Sequence, residues 1–153
     1  MTADVTVEAI REVLEESLGE LRKGVAGLDI EQLNARPAGG DTNSVAVIVT
    51  HALGSTRSWL SLAMGAPMPD RDRPAEFRAV ADDSFPAWTD ARIGECVALL
   101  DDATWDPARI GTTSWTRPPE TRTAAYAASH ALAHLGEHVG HLHMTLELLR
   151  DGA

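Results

Sequence analysis

The stretch TAAYAASHALAHLGEHVGHLHMTLELLR, residues 123–150, decides the fold class. It contains no proline. Its apolar residues Ala124, Ala127, Ala131, Leu135, Leu142, Leu146 and Leu149 recur at intervals of three, four or seven residues. That spacing predicts a long amphipathic helix, running from Thr121 or Thr123 to Arg150. A helix with one apolar stripe must bury it against other elements, so the rest of the chain is read for partners of the same kind.

Working back toward the N-terminus, residues 104–120 are irregular, broken by Pro107, Gly111 and Pro118-Pro119. Trp105 and Trp115 fit either strand fragments or packing on the end of a bundle; no strand is otherwise expected. A helix opens between Phe85 and Trp88, with Ser84 as its cap and Pro86 in its first turn, and closes near Asp102. Its apolar positions are Ile93, Cys96, Val97, Leu99 and Leu100. Residues 66–83 form a long polar connection with Pro67, Pro69 and Pro74, suited to a crossover or to a loop over a site. Before it, a helix starts at Asn43 or Ser44, runs through Val45, Ile48, Val49, Ala52, Trp59 and Leu60, and stops at Gly65-Ala66-Pro67. The first helix carries Val7, Ile10, Leu14, Leu18, Leu21, Val25 and Leu28, with Glu8, Glu12, Glu15, Glu16 and Glu20 opposite. Asp29 to Asn34 adds a short turn. The expectation is one all-α domain over 1–153, a four-helix bundle.

Composition narrows function. The chain has 153 residues, 44% hydrophobic and 24% charged, which excludes a disordered chain. Its net charge of −10 repels phosphate backbones and anionic lipid, so no nucleic-acid or membrane partner is expected. Twelve of the 13 basic residues are Arg, read as coding bias of a GC-rich bacterium. Cys96 is the single cysteine, leaving no internal disulfide and no CxxC motif, and its spacing is that of a core residue. The first residues lack the basic start and apolar run of a secretory signal, and the uncharged stretch between Asp41 and Arg57 is too short to span a bilayer. A cytoplasmic protein, and a homodimer, are expected.

Five of the six histidines lie on the last helix. At about 100° per residue, His138 points into the apolar sector and His134 sits at its edge. His130 and His141 lie further toward solvent, and His143 faces away. His134 and His138 are one turn apart on one face, the spacing at which two imidazoles grip one metal ion. The competing reading is a pair of half-buried histidines satisfied by hydrogen bonds. Two stacked rings facing a core need a partner, and a metal is the simplest one. His51, on the second helix, reads equally as a helix-flank histidine or as a third ligand. Three histidines without a fourth protein ligand describe an open site, suited to Zn2+, with Ni2+ or Fe2+ as alternatives. No Glu precedes a His by three residues, which rules out the carboxylate-bridged di-iron pattern. Glu137 reads as a solvated carboxylate or as a partner on a histidine ring.

Two segments then resemble the DinB-like superfamily, which includes mycothiol-dependent maleylpyruvate isomerases and related bacterial thiol transferases. The first is Asn43-Ser44 followed by an apolar run to His51. The second is His134-Leu-Gly-Glu-His138-Val-Gly140-His141. Val139 stands where an Arg is frequent and His141 where a Gln is usual, so His141 is a further candidate for holding a ligand ring or for ligation. The resemblance implies an up-down-down-up bundle, a long crossover between the second and third helices, and a metal held by His51, His134 and His138. It implies a metal-dependent transferase or isomerase acting with a small thiol such as mycothiol, whose thiolate attacks an electrophilic substrate under the 66–83 or 104–120 segment. Arg57, Arg92 and Arg122 are candidates for holding an acidic substrate. The alternative from another class is a non-catalytic, stress-type protein that binds a metal or small molecule.

Overall fold

The computed structural model describes residues 5–101 and 104–152. Its elements in chain order are α1 (Val5–Val25), α2 (Ile30–Asn34), α3 (Val45–Met64), α4 (Arg73–Glu76), α5 (Phe85–Ala98), β1 (Ile110–Thr112), β2 (Thr121–Thr123) and α6 (Ala124–Arg150). The four long helices are the expected ones, with two short helices between them.

Each helix starts and stops where its local chemistry directs. In α1 the buried residues Val7, Ile10, Leu14, Leu18, Leu21 and Val25 form one stripe, with Glu8 at the N-terminus and Arg22 and Lys23 at the C-terminus, matching the helix dipole. Asp29 and Gln32 cap α2 reciprocally, the Asp29 carboxylate accepting from the Gln32 N–H at 2.8 Å. Ser44 caps α3 by accepting from Val47 N–H, and Gly65 ends it in the left-handed region at φ 69°. Thr123 caps α6 by accepting from Tyr126 N–H. Ser84 does not cap α5; its hydroxyl donates to Asp82 at 2.6 Å instead. That helix ends at Ala98. Asp102, where the sequence reading ends it, lies outside the described residues.

Helix α3 is the central element. Nearly every one of its residues is buried, and it packs against α6, α5, α2 and α4. Its most extensive partner is α6, whose buried face begins with Ala124, Ala127, Ala128 and Ala131. Small side chains there let the two helices approach closely, which brings the middle of α3 against the middle of α6. Helix α1 packs on α6 and α5, closing the core around Leu14, Leu18, Leu21, Leu60, Leu135 and Leu142. Truncating any one of these leucines to Ala costs about 2–5 kcal/mol.

The expectation of no strands is corrected. β1 and β2 pair antiparallel, Ile110 with Thr123, Gly111 with Arg122 and Thr112 with Thr121. Gly111 allows this ladder to rest on α3: a Cβ there would lie 2.8 Å from the Leu62 side chain. Trp115, in the loop between the strands, packs edge-on against Trp59 of α3 with ring centroids 5.1 Å apart. No described helix is long and apolar enough to cross a membrane.

Candidate metal centre

His51 sits in the N-terminal half of α3 and is 5% exposed. Across the interface stand His134 and His138 of α6, both half-buried. One ring nitrogen from each of the three lies within 4.8 Å of the other two, and among the described residues this is the only such group that could hold a metal ion. The Nε2 atoms of His134 and His138 are 3.4 Å apart. The His51 ring lies 5.4 Å and 4.8 Å from the rings of His134 and His138.

The tautomer of His51 is set by its neighbour. His51 Nδ1 is 2.8 Å from Oε2 of Glu76, the last residue of α4. Burial raises the Glu76 carboxyl, but hydrogen bonds from His51 and Arg71 and the charge of Arg71 outweigh it and hold the group below the ordinary carboxylate range. An ionised Glu76 can only accept, so Nδ1 donates to it, and the tautomer this selects for a neutral ring has its lone pair on Nε2. Arg71 fastens the carboxylate with two bonds, Nε to Oε1 at 2.7 Å and one terminal nitrogen to Oε2 at 2.9 Å. Its side chain is 6% exposed and that of Glu76 is 8% exposed, so the pair is buried and needs each other. Gly54, one turn beyond His51, makes room: a Cβ there would sit 2.3 Å from Glu76 Oε1.

His134 and His138 are held neutral. Burial, then the charges of His51 and His130, push His134 down to about 4. Burial, then the charges of His134, His51 and His141, push His138 down to about 3. Their Nδ1 atoms are buried without a hydrogen-bond partner, and their Nε2 atoms meet only each other. Converging neutral imidazoles with unsatisfied polar atoms suit a divalent cation, which accepts a lone pair from each ring.

Residues 13–142 match the sequence pattern of the DinB superfamily. The chain belongs to the DinB superfamily. Among curated proteins none matches it. The crystal structure of a conserved protein from Enterococcus faecalis is similar in fold, with a TM-score of 0.72 at 17% identity over 97% of this chain and 98% of that one.

Within this DinB-superfamily chain the structure sorts the remaining candidates. Glu137 is exposed and hydrogen-bonds no histidine; the carboxylate on a ring of the three-histidine group is Glu76. His141 is exposed, its ring 5.4 Å from that of His138. His130 is stacked between Tyr126 and His134 and lies 4.4 Å from Trp59. His143 is exposed and pairs with Glu20 of α1 at 3.1 Å. Cys96 is buried, and burial pushes its thiol up to about 12. Arg57 and Arg92 both pair with Glu95, and Arg122 with Glu120, so these arginines are committed to ion pairs.

Two clefts flank the histidines. One, of about 560 Å3, opens beside His51 and His134 between Trp59, Trp115, Arg73 and Arg117. Both long connections thus contribute to its walls. The other, of about 290 Å3, lies on the His138 side among Val47, Ile48, Phe77, Met144 and Leu148.

Proposed function

We propose that the protein is a metal-dependent transferase or isomerase that acts with a low-molecular-weight thiol of the mycothiol type. The observation that carries the reading is the convergence of three imidazole nitrogens within 4.8 Å, between two clefts that open to solvent. His51, His134 and His138 would hold the ion, with zinc the best match to three neutral imidazoles and nickel or iron as alternatives. When bound, the ion supplies Lewis-acid stabilisation of a thiolate at neutral pH.

The residues of the chain do the rest. Glu76 keeps the His51 proton on Nδ1 and Arg71 keeps Glu76 in place. Burial keeps His134 and His138 unprotonated near pH 7, so no proton has to leave before they ligate. Cys96 is buried away from the site with a raised thiol, which supports a thiol brought by a bound small molecule. The clefts supply two approaches, one for a thiol and one for an electrophile.

The reading includes an up-down-down-up bundle with its long crossover over residues 65–84, in a cytoplasmic homodimer. The pairs Arg11–Asp101 and Arg22–Asp90 support opposite directions for α1 and α5, and Arg57–Glu95, with Thr50 and Trp88 lining one cleft, supports a common direction for α3 and α5. The test is a transfer assay with a panel of thiols and electrophiles, with and without chelator. Turnover that disappears on chelation and returns with zinc is expected. Metal binding without turnover of any pair would favour a non-catalytic metal-binding protein.

A further inference from the structure

The cleft beside His51 and His134 has a charge that the chain as a whole does not. The chain carries 23 acidic residues against 13 basic ones, yet this cleft is lined by Arg71, Arg73 and Arg117 and by no Asp or Glu. Arg71 is neutralised by Glu76. The other two are not. Arg73 places its guanidinium 5.3 Å from the Phe77 ring centre, and Arg117 donates to the backbone carbonyls of Ser114 and Thr116. Neither forms an ion pair with any described residue. Two guanidinium groups without acidic partners on one cleft offer an anion charge-assisted hydrogen bonds. The same cleft is walled by the indoles of Trp59 and Trp115, set edge-on, with His130 against Trp59. Such walls take a flat apolar body.

We infer that this cleft binds a small organic anion with a planar apolar body, its anionic group at Arg73 and Arg117 and its other end toward His51 and His134. The inference rests on the metal-centre reading only for which end of the ligand reacts; anion binding itself needs the two arginines and the indoles.

The probes are benzoate, phenylphosphonate and the neutral analogue benzamide. They are titrated into the full-length protein, as purified and after chelation, with the indole N–H signals of Trp59 and Trp115 followed by NMR. Both anions are expected to saturate in both preparations, with benzamide weaker by roughly tenfold or more. Arg73→Ala and Arg117→Gln should each weaken benzoate several-fold, and added salt should weaken it further. Arg57→Ala, outside this cleft and paired with Glu95, should leave benzoate binding unchanged. Equal binding of benzoate and benzamide, unchanged binding in both arginine variants, or no binding at about 10 mM probe would overturn the inference. Benzoate binding lost on chelation would place the anion on the metal rather than on the arginines, and would overturn it while supporting the metal centre. Anion binding in a protein that takes up no zinc, nickel or iron when offered would support the inference while overturning the metal-centre reading.

Discussion

His51 Nδ1 and Glu76 Oε2 are 2.8 Å apart, joining the N-terminal half of α3 to the end of a four-residue helix in the connection between α3 and α5. Both side chains are buried, and Arg71 closes the chain of contacts on the other side of the carboxylate. The connection between α3 and α5 is therefore part of the candidate site. It sets which nitrogen of His51 faces His134 and His138. Glu76→Gln keeps the shape and removes the charge. Metal affinity is expected to fall by roughly 10–100-fold, the range for losing a carboxylate that orients a ligating histidine. Competition with a chromophoric chelator measures it, and an unchanged affinity would show that Glu76 only packs.

Gly54 is expected to be intolerant for a related reason. A methyl group at this position would meet Glu76 Oε1 at 2.3 Å, so Gly54→Ala must displace the carboxylate or bend α3. Its melting temperature and its metal affinity should fall together. Gly94→Ala is the control. That glycine lies inside α5 with nothing within 4 Å of an added Cβ, so the substitution should stabilise by about 0.5–1 kcal/mol. A Gly54→Ala protein as stable as wild type, with full affinity, would contradict the geometry.

How far the sequence led can be judged from these residues. The apolar stripe of α1, the starts of α3 at Asn43 or Ser44 and of α6 at Thr121 or Thr123, and the i,i+4 pair of His134 and His138 are local, and local patterns are legible. Glu76 and Arg71 are hidden in a polar connection, because their roles exist only once that connection packs on α3. Asp72 followed by Pro74 is a helix-start signal that could have marked α4. The β1–β2 ladder is three pairs long, too short for any alternation to show. The wheel placed His143 away from the site, where it pairs with Glu20. The arginines were the hardest to sort. Arg57, Arg92 and Arg122 stand out no less in the sequence than Arg73 and Arg117, and only their neighbours separate them.

The metal-free protein should lose stability in acid. His134 and His138 have folded-state values depressed to about 4 and about 3. The unfolded chain, with histidines near the ordinary value of about 6.5, therefore binds more protons between these limits. Stability is full above about 6.5 and falls as pH drops toward 4, and protonation of Glu76 adds to the loss at the acid end. Thermal melts of chelated protein from pH 7.5 to 4.5 check this. The slope should lessen in the His134→Gln, His138→Gln double variant; an unchanged slope would place the acid sensitivity elsewhere.

Chelation should lower the melting temperature without unfolding the protein. A ligand bound only by the folded state stabilises it by about 4 kcal/mol at a thousandfold excess over its Kd. The core of leucine, valine and alanine on four long helices does not depend on that contribution. Far-ultraviolet circular dichroism should keep its helical signal in chelator at 25 °C, and loss of that signal would mean that the metal, not the apolar stripes, holds the bundle.

The most direct test of the three-histidine centre is the metal content of the purified protein by elemental mass spectrometry, compared across four variants. About one divalent ion per chain is expected in wild type and in His143→Ala, whose ring pairs with Glu20 instead. His51→Ala, His134→Ala and His138→Ala should each lose the ion while keeping their helical signal. Full occupancy in all three of these variants, or an empty wild-type protein that takes up no zinc, nickel or iron when offered, would contradict the account.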